Sequence, residues 1–328
     1  MKRSLVILRS SLAAALLLLP AAGALAVRRT EDPLALVPAG AATVGVMRWN
    51  ELRQTPLGAK VFADLDHISG DDDAARFLEE TGLTPREDID TVIVAMSPAG
   101  RSGETDSGIV LLEGRFDLAR IEAALTARGA TLQTAPAGRF YRLSERSAEP
   151  GAVALVNRTL IVCGSEGAVV AALARRESGG AGGLTSGEGL GKHLPRVDRE
   201  ASAWALVDLA RLPSVRRGES EGGGEPARAL FGAMKSVSLV ALQATVRGES
   251  LDFAATGLSA DAENRELLED ALRGVLAMWR LAVSEKAPEL VSVIRRFEIS
   301  SDSEGVSIRG TLPSGFLNSL SEHRRASR

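Results

Sequence analysis

Two stretches of the chain, Val44–Leu52 (VGVMRWNEL) and Trp204–Leu212 (WALVDLARL), share one pattern. In each, an apolar run ends in a charged residue, Arg48 or Asp208, continues to a leucine and is soon followed by proline. Such a run is typical of a buried strand that turns into a loop. The repeated pattern predicts that one structural unit occurs twice in the chain.

The segments that follow repeat further elements of the pattern in the same order. Second strands are predicted at Asp90–Met96 and Lys235–Leu242, and third strands at Gly108–Gly114 and Leu251–Gly257, because each is a short apolar run. Both third strands end in glycine. The matching order favours an internal duplication over a chance likeness between two segments that each contain strands and helices.

A helix is predicted after each third strand. In the first half, Asp117 is the expected N-cap and Gly129 the expected stop. In the second half the helix is longer, and Ser259 or Asp261 is the expected cap. Apolar residues recur at helical spacing in both segments, so one face of each helix is expected to pack on a sheet.

Each half then closes with a hairpin and a final helix. In the first half the turn is Asn157-Arg158 and the helix is Glu166–Arg176. In the second half the turn is Ser303–Gly305 and the helix is Ser314–Glu322.

The first half also carries an insertion, Pro56–Gly82, which is predicted to be helical. The stretch after it, Thr84–Glu87 (TPRE), has the sequence of a capping box with proline at the first helical position. A single helical turn is therefore expected before a strand that begins at Ile89.

These elements predict an α+β fold, because short links between consecutive strands imply antiparallel pairing. We expect two related lobes, each a mostly antiparallel sheet with helices packed on one face. The predicted boundaries are a signal peptide (1–26), a first lobe (27–178), a glycine-rich connector (179–199), a second lobe (200–322) and a basic tail (323–328). Residues 179–191 and 216–226 are glycine-rich and are both expected to be flexible loops.

The first 26 residues have the features of a secretory signal peptide. Basic residues open the chain, an apolar run follows, and Ala24-Leu25-Ala26 is an A-x-A cleavage site. The alternative is an uncleaved inner-membrane anchor formed by residues 4–26. The mostly apolar segment Leu12–Val27 is shorter than the ~20 residues that a spanning helix needs, which favours cleavage and export to the periplasm or cell envelope.

Composition argues against nucleic-acid binding. The net charge of the whole chain is −3, and removal of the first 26 residues, which contain three basic and no acidic residues, makes it −6. Aromatic residues make up 4% of the chain, so stacking platforms are few. The single cysteine, Cys163, lies in an apolar run and is predicted to be a buried packing residue.

The glycine-rich stretch Gly187–His193 (GEGLGKH) resembles a phosphate-binding loop only superficially. A Walker A loop needs glycine where the chain has Ser186, and a hydroxyl residue where it has His193. Pro195 is expected to interrupt a following helix, and no apolar strand precedes the stretch. We therefore interpret it as part of the connector, with no nucleotide cofactor implied.

Three further groups of residues lack the pattern of a functional site. Gly218–Gly222 (GESEG) fits G-x-S-x-G but lacks the flanking strand and helix of a nucleophile elbow. The acidic cluster lacks calcium-loop spacing, and the histidines lack zinc spacing; these residues are Asp64, Asp66, Asp71, Asp72 and Asp73, with His67, His193 and His323. No catalytic, cofactor-binding or metal-binding residue is predicted.

Arg48 and Asp208 occupy equivalent positions in the two halves. If the lobes face each other, these side chains meet as an ion pair or line a cleft. The simpler interpretation, which we favour, is that both are solvated charges at strand ends.

In three segments, Leu36–Gly58, Phe77–Met96 and Gly114–Gly129, the chain resembles a loosely defined group of uncharacterised exported bacterial proteins with a duplicated α+β unit. The resemblance is best over residues 36–176 and weaker in the second half. It implies export and duplication, and it implies no mechanism.

The function expected from the sequence is that of an exported cell-envelope protein, a non-enzymatic binding or interaction module for an unknown envelope partner or ligand. The alternative is a periplasmic enzyme of the hydrolase class whose site assembles only in three dimensions. A membrane-tethered form with an uncleaved anchor is the third possibility.

Overall fold

The structure is a computed structural model. It describes residues 32–55, 58–59, 72–98, 107–143, 150–212, 236–284 and 288–313. The described residues from Leu34 onward form one compact unit. The predicted helix Ser314–Glu322, the 216–226 loop and residues 56–57 and 60–71 of the Pro56–Gly82 insertion lie outside the described residues. No helix among the described residues combines the length and apolar character needed to cross a membrane.

The described strands form one antiparallel sheet in the order β11-β12-β10-β9-β8-β1-β2-β3-β7-β6-β5-β4. Their bounds are β1 (Thr43–Arg48), β2 (Ile89–Ser97), β3 (Ser107–Gly114), β4 (Thr131–Ala135), β5 (Gly138–Arg142), β6 (Gly151–Asn157), β7 (Leu160–Ser165), β8 (Ala203–Asp208), β9 (Leu239–Arg247), β10 (Ser250–Leu258), β11 (Glu298–Ser301) and β12 (Gly305–Pro313).

Helices connect and flank these strands. Their bounds are α1 (Trp49–Leu52), α2 (Asp72–Thr81), α3 (Pro85–Asp88), α4 (Leu118–Ala127), α5 (Glu166–Glu177), α6 (Ala262–Ser284) and α7 (Pro288–Ile294). Short 3₁₀ turns lie between them, at Pro33–Ala35, Leu184–Ser186, Gly189–Arg196 and Leu209–Arg211. Sheet and helices together confirm the predicted α+β class.

The two halves meet at the centre of the sheet, where β1 pairs with β8. Val44 lies opposite Leu206, and Val46 lies opposite Trp204. Outward from this pair the order is β1-β2-β3-β7-β6 on one side and β8-β9-β10-β12-β11 on the other. The halves thus share one continuous sheet, because pairing β1 with β8 removes the free edge that each half would otherwise expose.

Helices cover both faces of the first half, whereas the sequence predicted helices on one face. On one face α5 packs Val169 and Leu173 into the main core. On the other, α4 packs Ile121 and Leu125 into a second cluster. The apolar sequence of strand β7 explains why helices lie on both faces. Successive buried residues of Leu160–Ser165 point to opposite faces of the sheet, so both faces are apolar and both are buried by helices.

Several local predictions are confirmed and one is wrong. The carboxylate of Asp117 accepts a hydrogen bond from the amide of Arg120, and that of Asp261 accepts one from Asn264, so both cap their helices. Thr84 makes no side-chain cap bond before α3. The carboxylate of Asp88 instead accepts a 2.7 Å hydrogen bond from the Thr84 amide. Asp88 lies one residue beyond Glu87, whose side chain would make this bond in a capping box.

Three further features differ from what the sequence predicts. The hairpin of β4 and β5 and the helix α7 had no predicted counterpart. The runs at β1 and β8 end in helical turns, α1 and Leu209–Arg211, where loops were expected. A hydrogen bond from the Ala210 amide to the Asp208 carboxylate stabilises the second of these turns.

Candidate functional site

The glycine-rich connector is packed against the protein, although it was expected to be a flexible loop. Leu184 has no exposed surface and Leu190 is buried. The amide of Leu190 donates to the carbonyl of Ala39, and that of Leu184 donates to Val37. A side chain on Gly189 or Gly191 would overlap a backbone carbonyl, so these glycines permit close packing of protein backbone. They form no cradle for a phosphate.

Most of the other sequence candidates lie outside the described residues. These are Gly218–Gly222, the carboxylates of Asp64, Asp66 and Asp71, and the histidines His67 and His323. His193 is described and half-buried; its pKa is lowered by burial and by the positive charges of Lys192 and Arg196. Across the part of the chain that the structure describes, no three His, Cys, Asp or Glu side chains are grouped to hold a metal ion.

Cys163 has the packing role predicted for it. Its side chain belongs to the apolar cluster beneath α4. Burial raises the pKa of the thiol to about 12, so the reactive thiolate is essentially absent at neutral pH.

Arg48 and Asp208 do not meet. Because β1 and β8 run antiparallel, the two residues lie at opposite ends of this strand pair. Arg48 pairs with the Glu200 carboxylate at 3.0 Å, and the amide of Asp208 donates to the carbonyl of Ala42. The hypothesis of an ion pair between the lobes is therefore wrong.

The most distinctive surface is a cavity of about 520 Å³ over β2, β1, β8 and β9, which we call the central apolar pocket. It lies on the sheet face opposite α5. Its side chains form two rows that each cross all four strands: Val94, Gly45, Ala205 and Leu242 in the first, and Val92, Met47, Ala203 and Ala244 in the second. Trp49 closes one end.

The shape of the pocket follows from side-chain size. Small residues, Gly45 and Ala205, form the middle of the first row, between Val94 and Leu242. The two larger side chains are 42% and 40% exposed although they are apolar and lie on interior strands. Small residues between larger ones leave a recess in the surface of the sheet.

The pocket occupies the gap between two groups of helices on the same face. On one side Trp49 and Val92 pack with the α2 and α4 cluster. On the other, Val207 and Val240 pack against α6. No described helix covers the strands between these clusters, so their apolar side chains are exposed.

The two rows of side chains that form the floor of the pocket offer no hydrogen-bonding groups; the carboxamide of Gln243, which also borders the pocket, accepts a hydrogen bond from the Asp198 amide. Strand β1 pairs with β2 and β8, and β8 pairs with β1 and β9, so the backbone donors and acceptors of both strands are used within the sheet. The side chains of the two rows are all apolar. Anything bound there is held by shape and by the hydrophobic effect.

A second cavity, of about 570 Å³, lies on the opposite face over β9 to β12. Polar and charged side chains line it, and several satisfy one another. Arg247 lies 2.8 Å from the Asp252 carboxylate, which also accepts a 2.6 Å hydrogen bond from the Thr311 hydroxyl. This cavity is an open polar sheet surface and is a weaker candidate for a binding site than the central apolar pocket.

No family model matches the chain, and no curated protein matches it. Its fold is similar to that of TP0453. Crystal form III of TP0453 gives a TM-score of 0.50 at 11% sequence identity, covering 88% of this chain and 96% of that chain. Crystal form IV gives a TM-score of 0.47 at 12% identity, covering 90% and 98% of the two chains. At these identities the likeness concerns the fold alone.

Sequence reasoning identified the strands of the pocket but missed the pocket itself. The available signal was that apolar residues fill consecutive positions of β1 and β8, as in Val44-Gly45-Val46-Met47. A strand of this kind has two apolar faces. This pattern did not reveal that only one of the two faces is covered in the folded chain.

Proposed function

We propose that this chain is an exported, non-enzymatic binding protein of the cell envelope and that the central apolar pocket is its binding surface. The observation that carries the proposal is the exposed apolar patch in the middle of the sheet. Interior strands normally bury such residues, and a recessed, contiguous apolar surface is typical of a ligand or partner site.

The chemistry of the pocket supports binding over catalysis. Its side chains include no titratable group and no nucleophile. A hydrolase needs a nucleophile within hydrogen-bond reach of a base. The described cysteine, Cys163, is protonated and packed beneath α4.

The matching strand order supports the proposed duplication. The orders β1-β2-β3-β7-β6 and β8-β9-β10-β12-β11 are the same when each is counted outward from the centre. In both, a helix follows the third strand, as α4 follows β3 and α6 follows β10. A pocket built from the first two strands of each unit lies on the boundary between the two copies.

Export predicts a defined mature N-terminus. Mass spectrometry of the protein from its native cells is expected to give a chain that begins at Val27, because the A-x-A site ends at Ala26. Ala26→Arg removes the small residue at the cleavage site and is expected to leave the precursor intact. A wild-type chain that keeps residues 4–26 and sediments with membranes would instead establish the anchor.

Binding predicts uptake of an apolar dye. N-phenyl-1-naphthylamine is expected to fluoresce on the folded protein, and Leu242→Glu is expected to weaken its binding at least tenfold, because the dye would then cover a carboxylate. Leu132→Glu is the matched control, since Leu132 is a 49% exposed leucine on β4, outside the pocket. Equal effects of the two glutamates, with unchanged melting temperatures, would refute the proposed site.

A further inference from the structure

We infer that the ligand of the central apolar pocket is a single linear acyl chain, of the kind found in a long-chain fatty acid. The inference rests on the proposed function and identifies the class of ligand for the same site. Three properties of the pocket carry it: its hydrogen-bonding capacity, its charge and its volume.

Hydrogen bonding excludes ligands that are polar along their length. The backbone groups of β1 and β8 are engaged in the sheet, and the two rows contribute only apolar side chains. An extended peptide, a sugar or a nucleotide would bury donors and acceptors against this floor without partners. Each such group costs about 1–3 kcal/mol, so these ligands are selected against.

The absence of charged side chains in the two rows also favours a hydrocarbon ligand. None of the side chains in the two rows is ionisable, so the part of the ligand in contact with them must be uncharged. A hydrocarbon tail meets this requirement along its whole length. A carboxylate at one end of the tail remains in water at the open mouth of the pocket.

Volume is consistent with a single acyl chain. The pocket is a recess of about 520 Å³ on the open face of the sheet. At about 30 Å³ for each group the size of a water molecule, the same space takes roughly 17 such groups. This corresponds to one acyl chain of about 16 carbons, whereas a two-chain lipid carries about twice that number.

Displacement of the dye by fatty acids tests the inference. Palmitate below its aggregation concentration is expected to displace N-phenyl-1-naphthylamine with one site per protein. Affinity is expected to rise with each added methylene from C8 to C16, by at most about fourfold, the value for full burial at about 0.8 kcal/mol per CH₂. It should then level off once the chain fills the pocket.

A substitution in the floor of the pocket provides the matched variant. A Cβ on Gly45 would have its nearest neighbours at 3.9 Å, so Gly45→Leu can be accepted by the backbone while its side chain fills the recess. It is expected to lower palmitate affinity at least tenfold. Gly108→Leu is the control, because it makes the same change in β3, outside the pocket, with nothing within 4 Å of its Cβ.

The outcomes distinguish the two proposals. If the dye binds in the pocket but palmitate does not displace it, or C8 and C16 acids compete equally, the acyl-chain inference is overturned and the proposed function survives. Preferential displacement by a helical peptide or a diacyl lipid also overturns it. If the dye does not bind at all, the proposed function fails together with the inference.

Discussion

Replacing Gly191 with alanine is expected to lower the free energy of unfolding by about 3 kcal/mol, near the upper end of what overpacking costs. A Cβ at this position would overlap the carbonyl oxygen of Leu184, which is backbone and cannot rotate away. Gly191 and Leu184 are both buried in the connector. The overlap can be relieved only if the two turns of the connector, Leu184–Ser186 and Gly189–Arg196, move apart.

Urea denaturation followed by circular dichroism measures this effect, and two other glycines serve as controls. Gly167→Ala, in helix α5 with nothing within 4 Å of its Cβ, is expected to be neutral or to stabilise by up to about 1 kcal/mol. Gly187→Ala has free space but a φ of +79°, so it is expected to cost about 1–2 kcal/mol. If Gly191→Ala destabilises no more than Gly187→Ala, the connector is not packed as described.

Replacing Leu206 with alanine is expected to lower the free energy of unfolding by about 3–5 kcal/mol. Leu206 has no exposed surface and lies in β8 between Val44 of β1 and Ala241 of β9. Its removal leaves a cavity at the junction of the two halves. Because both halves share this sheet, unfolding is expected to remain a single transition that shifts as a whole.

Thermal and urea unfolding, each followed by two probes, check this second expectation. Leu132→Ala is the control, since its exposed side chain is expected to contribute less than about 0.5 kcal/mol. Two separate transitions, with only one moved by Leu206→Ala, would show that the halves fold independently. A loss below 1 kcal/mol would contradict the burial of Leu206.

The local elements were predictable because their signals lie within a few residues. Asp117 is followed by apolar residues at helical spacing, and Asn157-Arg158 lies between two apolar runs. The structure gives α4 and the β6–β7 hairpin at these places. The capping box failed because Asp88 competes for the same amide, and no short pattern distinguishes the two carboxylates.

The connector shows why composition alone misleads. Seven glycines between residues 179 and 191 have the composition of a mobile loop. Leu184 and Leu190 nevertheless pack into the main core beside Leu36 and Val37. The glycines are needed there because neighbouring backbone lies too close for a side chain, and this contact is far apart in sequence.

The sequence by itself determined the α+β class, the order of most strands and helices and the helix cap at Asp117, since each depends on local spacing and conformational preference. Only the tertiary structure decided that β1 pairs with β8 and that the two halves form one sheet. It also decided the pocket, whose rows combine Gly45 and Val94 with Ala205 and Leu242 from the other half. The physical reason is that strand pairing and the packing of helices on a sheet are contacts between segments distant in sequence. The residues of one strand therefore do not determine whether its apolar face is buried or exposed.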